Sequence, residues 1–224
     1  MKIVAVVPMK LNNERLPNKN TLSFKNGKPL CNYILDTLLA VKGIHETYVY
    51  CSDDRIIPYL PNNVRYLKRS SELDSSTTSM NEVLKAFAVD VHSDIYILAH
   101  ATAPFILPIS IEEALFRVIS GENDSAFSVI QLNEFLWTDK GPLNYDLANI
   151  PRTQDLPRMF AETSGFYIFR RGLLEAHNRR IGFNPYKCFV DKIQAIDIDD
   201  KHDFILADAI YQTLKDDYFK EAEK

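Results

Sequence analysis

Apolar positions along this chain switch repeatedly between two periods. Lys2-Ile-Val-Ala-Val-Val-Pro8 is a short apolar run closed by proline, the pattern of a strand buried on both faces of a parallel sheet. From Leu30 to Val41 the spacing changes to three and four. Leu30, Ile34, Leu35, Leu38 and Leu39 then share one side of a helix, and Gly43 is placed to stop it. Thr47 to Cys51 (TYVYC) returns to strand chemistry, Ser52-Asp53-Asp54 reads as the cap of a short helix, and Val64 to Leu67 reads as a third strand. The alternation continues with a helix over Met80 to Val91, a central strand over Ser93 to Leu98, a helix over Ile109 to Ile119 and a strand over Ser125 to Ile130. Thr163 to Phe169 (TSGFYIF) is a further strand, and a short helix starts at Leu173. Ile193 to Asp197 reads as one more short strand, with Asp199 capping a last helix from Lys201 to Leu214. Strand alternating with helix predicts a three-layer α/β/α sandwich around a mostly parallel, Rossmann-like sheet with right-handed crossovers.

One segment breaks the rhythm. From Gln131 to Pro157, Trp137, Asp139-Lys-Gly141, Pro142, Asn144, Tyr145 and Pro151 interrupt both periods. An insertion at about 131–160 within one domain spanning 1–224 is expected there. Its aromatic and leucine content suits a contact with a second copy, so a homodimer is expected. Hydrophobic and charged contents of 46% and 25% are those of an ordinary globular chain. The net charge of −4 argues against bulk nucleic-acid binding, although it leaves room for a local basic pocket. No apolar run approaches the roughly 20 residues of a membrane span, and the first residues lack the apolar core of a secretion signal. Cys31, Cys51 and Cys188 are odd in number and far apart, which suits free thiols in a reducing compartment. A cytoplasmic protein without a membrane partner is the expectation.

Candidate chemistry gathers in the loops that follow strands. The loop after the first strand carries Lys10, Arg15, Lys19, Lys25 and Lys28, and the carboxyl end of a strand is where open α/β sheets bind ligands. Its one glycine, Gly27, excludes both the dinucleotide fingerprint and the Walker loop, so side-chain cations would hold any polyphosphate. Five hydroxyls from Ser75 to Ser79 exceed the one needed to cap the next helix. Ala99-His-Ala-Thr-Ala-Pro104 is another loop at a strand's carboxyl end. In Ala195-Ile-Asp197-Ile-Asp199-Asp200, an extended backbone would put Asp197 and Asp199 on one face with Ile198 turned inward. Paired carboxylates repel unless a cation lies between them, and Mg²⁺ commonly takes one or two carboxylates plus water and phosphate oxygens. Helix capping by Asp199 and Asp200 is the plainer account of the same residues. A basic loop opposite an acidic pair suggests a nucleoside triphosphate with Mg²⁺.

Six blocks in order along the chain resemble the acylneuraminate cytidylyltransferases. They are Lys10-Leu-Asn-Asn13-Glu14-Arg15-Leu-Pro17-Asn-Lys19-Asn20; Arg69-Ser-Ser-Glu72 with Asp74-Ser-Ser-Thr77; His100-Ala-Thr102-Ala-Pro104; Pro151-Arg152-Thr-Gln154-Asp155; Ser164-Gly165-Phe-Tyr-Ile168; and Ile196-Asp197-Ile-Asp199 with Asp203-Phe204. The chain departs from that pattern at Lys10, Asn13, Glu14, His100, Ala103 and Ile106. The resemblance implies a sheet of the nucleotide-diphospho-sugar transferase type. It also implies transfer of a cytidylyl group from CTP to an acidic sugar, a sialic acid or related nonulosonic acid, for surface glycan synthesis. By the same resemblance Lys10, Arg15 and Lys19 grip the triphosphate, and Asn20, Arg69 and Ser76 contact base or ribose. His100, Thr102 and Arg152 face the acceptor, with Arg152 paired to its carboxylate, and Asp197 and Asp199 hold Mg²⁺. Activation of another small acid or phosphonate, or a degenerate protein that only binds nucleotide, are the alternatives.

Overall fold

The computed structural model describes residues 1–221, so the last three residues of the expected 1–224 domain lie outside the described ones. Seven strands form its main sheet: β1 (Ile3–Met9), β2 (Glu46–Cys51), β3 (Val64–Lys68), β4 (Ile95–Ala99), β5 (Ser125–Leu132), β8 (Met159–Arg170) and β9 (Pro185–Phe189). Their order is β3-β2-β1-β4-β8-β5-β9. All neighbours pair parallel except β8, which runs antiparallel to both β4 and β5. Among the described residues five α-helices accompany the sheet: α1 (Leu30–Ala40), α2 (Met80–Asp90), α3 (Pro108–Ile119), α4 (Arg171–His177) and α5 (Lys201–Glu221).

The strands are apolar throughout because helices cover both faces. Ile3, Ala5 and Val7 of β1 pack with Ile34, Leu35 and Leu38 of α1 and Ile111 and Leu115 of α3. Val4 and Val6 point the other way, into Val83, Leu84 and Phe87 of α2 and Leu173 and Leu174 of α4. A third cluster lies under the carboxyl edge. Phe24 and Leu16 of the opening loop, Phe105 of the loop after β4, Ile198, and Phe204 and Ala207 of α5 pack together there. This cluster welds three separate loops and one helix into a single floor.

Two expectations are corrected. Ile193 to Asp197 is not a strand. Its first part is a turn in which the Asp191 carboxylate accepts from the N–H groups of Ile193 (2.8 Å) and Gln194 (2.9 Å), and Ala195 N–H donates to the Asp191 carbonyl (3.0 Å). An aspartate that bonds the backbone two and three residues on favours a turn over a strand. The edge strand is instead β9, whose sequence Pro185-Tyr-Lys-Cys-Phe189 buries only Cys188 and opens on proline, as an edge position tolerates. The second correction is the cap of α5. Asp200 provides it, accepting from the N–H groups of His202 (2.7 Å) and Asp203 (3.1 Å), while Asp203 accepts back from Asp200 N–H (3.0 Å). Asp199 is thereby free for other contacts.

The segment after β5 leaves the sheet as a small hairpin of β6 (Trp137–Thr138) and β7 (Gly141–Pro142). Buried Asn144 pins its base, accepting from Leu136 N–H (2.9 Å) and donating to the Glu134 carbonyl (2.9 Å). Trp137, Leu143, Leu147 and Ile150 stand exposed on this excursion. Among the described residues no helix is long and apolar enough to cross a membrane.

Candidate active site

Strand order reverses at β1: β2 and β3 lie on one side of it, and β4 begins the other. Ligands bind at such a switch point, outside the carboxyl ends of the strands. The loop after β1 and the loop after β4 both open into this crevice. The segment 196–200 closes it, because Ile198 N–H donates to the Thr102 carbonyl (2.9 Å) and Ile198 is fully buried.

Lys19 is the central cation. It is buried, and its Nζ donates to the Ile198 carbonyl (2.6 Å) and lies 3.5 Å from Asp199 Oδ1. Asn18, in the left-handed region at φ 55°, starts the single helical turn that points Lys19 inward. Arg15 reaches Asp199 Oδ2 at 3.1 Å from a largely exposed position. Glu14 beside it is exposed. Asp197 lies deeper. Burial pushes its carboxyl above the usual carboxylate range and the nearby Asp199 adds to this, while a hydrogen bond from the Thr102 hydroxyl works the other way. One of its oxygens, Oδ1, is buried without a partner.

A second node supports the first. Arg69, also buried, donates from Nε (3.2 Å) and Nη2 (2.6 Å) to Asp74 Oδ1, and Ser52 donates to the other oxygen (2.5 Å). Lys10 Nζ donates to the Asp74 carbonyl (3.3 Å), and Asn20 Nδ2 donates to the Lys10 carbonyl (3.0 Å). Asn20 and Arg69 therefore fix loops together. Asp74, not named as a site residue from sequence, is the acceptor on which this node is built. The hydroxyl run resolves into local bonds. Ser75 and Thr77 bond each other (2.8 Å), Thr78 donates to the Glu72 carbonyl (3.5 Å), and Ser79 forms a capping box with Glu82. Ser76 is exposed and has no partner among the described residues.

His100 sits against β8. Its backbone N–H donates to the Gly165 carbonyl (3.3 Å), within a bulge where Ser164 takes φ 56° and both the Thr163 hydroxyl and the Phe166 N–H donate to Ser128 Oγ. Any side chain at Gly165 would overlap Ile106 and Ser128. Burial, reinforced by the positive charges of Arg180 and Lys19, pushes the His100 imidazole down to about 4. It is therefore neutral near pH 7 and a poor proton acceptor there. Its Nε2 is buried without a partner. Arg180 was missed from sequence; an Arg-Arg pair before Ile-Gly was the one available signal.

The structure thus brings Lys10, Arg15, Lys19, Asn20, Arg69, His100, Thr102, Asp197 and Asp199 into one connected set. It does not bring Arg152 to that set. Arg152 lies exposed on the excursion, with its Nε (2.7 Å) and Nη2 (3.2 Å) on Asp155. Local pairing with a carboxylate three residues away satisfies it without the site. An opening of about 570 Å³ lies elsewhere, behind the loop after β4 among Lys28, Tyr33, Pro104 and Ile106, and none of the site's carboxylates lines it.

Cations opposed to a carboxylate pair at the switch point of a mostly parallel α/β sheet place this chain's candidate site where such sheets bind ligands. The sequence profile of the family described as cytidylyltransferase matches residues 4–223, and the chain belongs to that family. It is 27% identical over 184 residues to the N-acylneuraminate cytidylyltransferase of Oncorhynchus mykiss, a match covering 77% of this chain and 42% of the relative. Over 140 residues it is 28% identical to the 8-amino-3,8-dideoxy-manno-octulosonate cytidylyltransferase of Shewanella frigidimarina (strain NCIMB 400), covering 60% of this chain and 56% of that one. The chain thus spans about half the length of these curated relatives. In structure it resembles a CMP:2-keto-3-deoxy-manno-octonic acid synthetase complexed with CTP, at TM-score 0.71 and 18% identity. That match covers 95% of this chain and 99% of the other.

Proposed function

We propose that this protein transfers a cytidylyl group from CTP to an acidic sugar, a sialic acid or related nonulosonic acid, giving a CMP-sugar for surface glycan synthesis. The observation that carries this reading is the convergence of Lys19 and Arg15 on Asp199, beside the unpartnered Asp197 oxygen, at the β1–β4 crevice. The sugar hydroxyl oxygen attacks the α-phosphorus, its proton passes to water, the bond from that phosphorus to the bridging oxygen breaks, and pyrophosphate leaves. Charge grows on the leaving group, and fixed cations already in the crevice stabilise it without reorganising. Lys19 is held in place by the Ile198 carbonyl, and Arg15 is free to swing from Asp199 to a phosphate.

Two carboxylates and one orphaned oxygen fit Mg²⁺, which keeps several waters and takes the rest of its ligands from phosphates. They are too few to hold a metal alone; among the described residues no three metal-binding side chains cluster. Bound there, Mg²⁺ would neutralise phosphate charge and polarise the α-phosphate. Neutral His100 suits a hydrogen bond to the acceptor better than proton abstraction. Ser76 and the Arg69–Asp74 node would flank the base and ribose. The exposed apolar side chains of the excursion are proposed to pair two chains as a homodimer.

Pyrophosphate release with CTP, MgCl₂ and a panel of nonulosonic and octulosonic acids tests this reading, with ATP, GTP and UTP as controls. Turnover confined to CTP and one class of acid is the expected result. No turnover with any acid, together with no CTP binding by calorimetry, overturns it.

A further inference from the structure

An acidic acceptor entering this crevice meets two carboxylates, so a cation must face it. Four of the site's cations are already engaged. Lys19 and Arg15 are on Asp199, Arg69 is on Asp74, and Lys10 is on the Asp74 carbonyl. The fifth, Arg180, is not. Its guanidinium lies 4.2 Å from the centroid of the Tyr167 ring and contacts the Tyr167 hydroxyl, and no carboxylate is within ion-pairing distance of it among the described residues. That hydroxyl donates to Glu162 (2.8 Å), and the Tyr167 ring lies 6.2 Å from His100.

We infer that Arg180, held over the ring of Tyr167, the neighbour of His100, binds the carboxylate of the acidic acceptor. The inference rests on the cytidylyl-transfer reading and replaces Arg152, which the structure leaves on Asp155.

Three observations favour this placement. Arg180 lines an open cavity of about 300 Å³ at the start of α2, with Ser79, Met80, Asn81, Arg179 and Ile181, so a ligand can reach it. The segment carrying it is fixed at both ends. Asn81 Nδ2 donates to the Asn178 carbonyl (2.7 Å), while the Asp124 carboxylate accepts from Phe183 N–H (2.6 Å) and Asn184 N–H (2.9 Å). The cation–π contact with Tyr167 holds the guanidinium in place, and a planar fork held in advance matches a carboxylate with two parallel bonds.

The test is steady-state kinetics of the Arg180→Met and Arg180→Lys variants at saturating CTP, using the acid that the wild type turns over and its methyl ester. Losing the partner of a desolvated carboxylate raises the acid's KM by about 30-fold or more in Arg180→Met. Arg180→Lys recovers part of that loss, and the KM for CTP moves less than about twofold because the triphosphate cations are untouched. The wild type should prefer the free acid over its ester, and Arg180→Met should lose that preference, a change that a merely structural role would not produce. An unchanged acid KM and intact acid preference in a folded Arg180→Met overturns the inference and leaves the cytidylyl-transfer reading standing. A wild type that turns over no acid overturns both. If Arg180→Met does not fold, the Arg180→Lys variant decides, since an unchanged acid KM and ester discrimination there refutes the two-bond clamp.

Discussion

Lys19 and Arg15 both reach Asp199, but the structure separates what each does. The Lys19 side chain is 10% exposed and its 2.6 Å bond to the Ile198 carbonyl ties the opening loop to the floor of the site, whereas the Arg15 side chain is 71% exposed. A hydrogen bond from a charged group contributes roughly 1.5–3 kcal/mol, and removing the lysine also leaves a buried carbonyl unpaired. The Asp199 pair adds at most about 1 kcal/mol, because that carboxylate is half exposed and screened by water. Lys19→Met should therefore cost about 2–4 kcal/mol, which lowers the melting temperature by roughly 4–16 °C in a chain of this size. Arg15→Met should cost less than about 1 kcal/mol, a shift of about 3 °C or less. Both variants should lose turnover by about 10²-fold or more, the size of losing one electrostatic stabiliser. Scanning calorimetry beside the pyrophosphate assay measures both effects. Equal melting temperatures for the two variants would refute the division into a structural and a purely functional cation.

Asp197→Asn removes a buried charge, so in EDTA at pH 7.5 it should melt about 2–4 °C above the wild type, from about 1 kcal/mol released. It should also lose Mg²⁺-dependent turnover by about 10²-fold. The sign follows from its raised carboxyl: the metal-free wild type binds this proton more tightly when folded, so it loses stability as pH climbs above the unfolded value near 3.9. A lower melting temperature for the variant would show that Lys19 already satisfies the carboxylate. His100 titrates oppositely. With its folded value near 4 and its unfolded value near 6.5, it contributes full stability above about pH 6.5 and loses it as pH falls toward 4. His100→Gln should flatten that acid limb in urea titrations at pH 4.5 and 7, and an unchanged limb would contradict the buried, neutral ring. Trp137→Glu combined with Leu147→Glu should convert a sedimenting dimer to monomer, and an unshifted sedimentation coefficient would place any interface elsewhere.

Much of the fold was legible because its signals are local. The change from period two to period three or four marks helices and strands whose limits the structure moves by only a few residues, as at Leu30–Ala40 and Glu46–Cys51. The charged loop after β1 and the Asp197–Ile198–Asp199 pattern announced the charges that the structure gathers at the crevice, since side-chain type survives without a tertiary context. The β9 edge was not legible, because Pro185-Tyr-Lys-Cys-Phe189 gains its partners only from β5, some sixty positions earlier. The turn at Asp191 looked like a strand for the complementary reason: its apolar residues serve the floor under the site, not a sheet.

The sequence by itself determined the alternation of elements, the absence of a glycine-rich phosphate loop, and the presence of cations and paired carboxylates at strand ends. Only the tertiary structure decided which charges meet. Arg152, beside Asp155, is satisfied locally, whereas Arg180 reaches the surroundings of His100, eighty residues away in the chain, through its contact with Tyr167. Lys19 reaches Ile198 across 179 positions. Charge falls off with distance in space, not along the chain, so the fold alone selects which cations are engaged and which one is left to face a substrate.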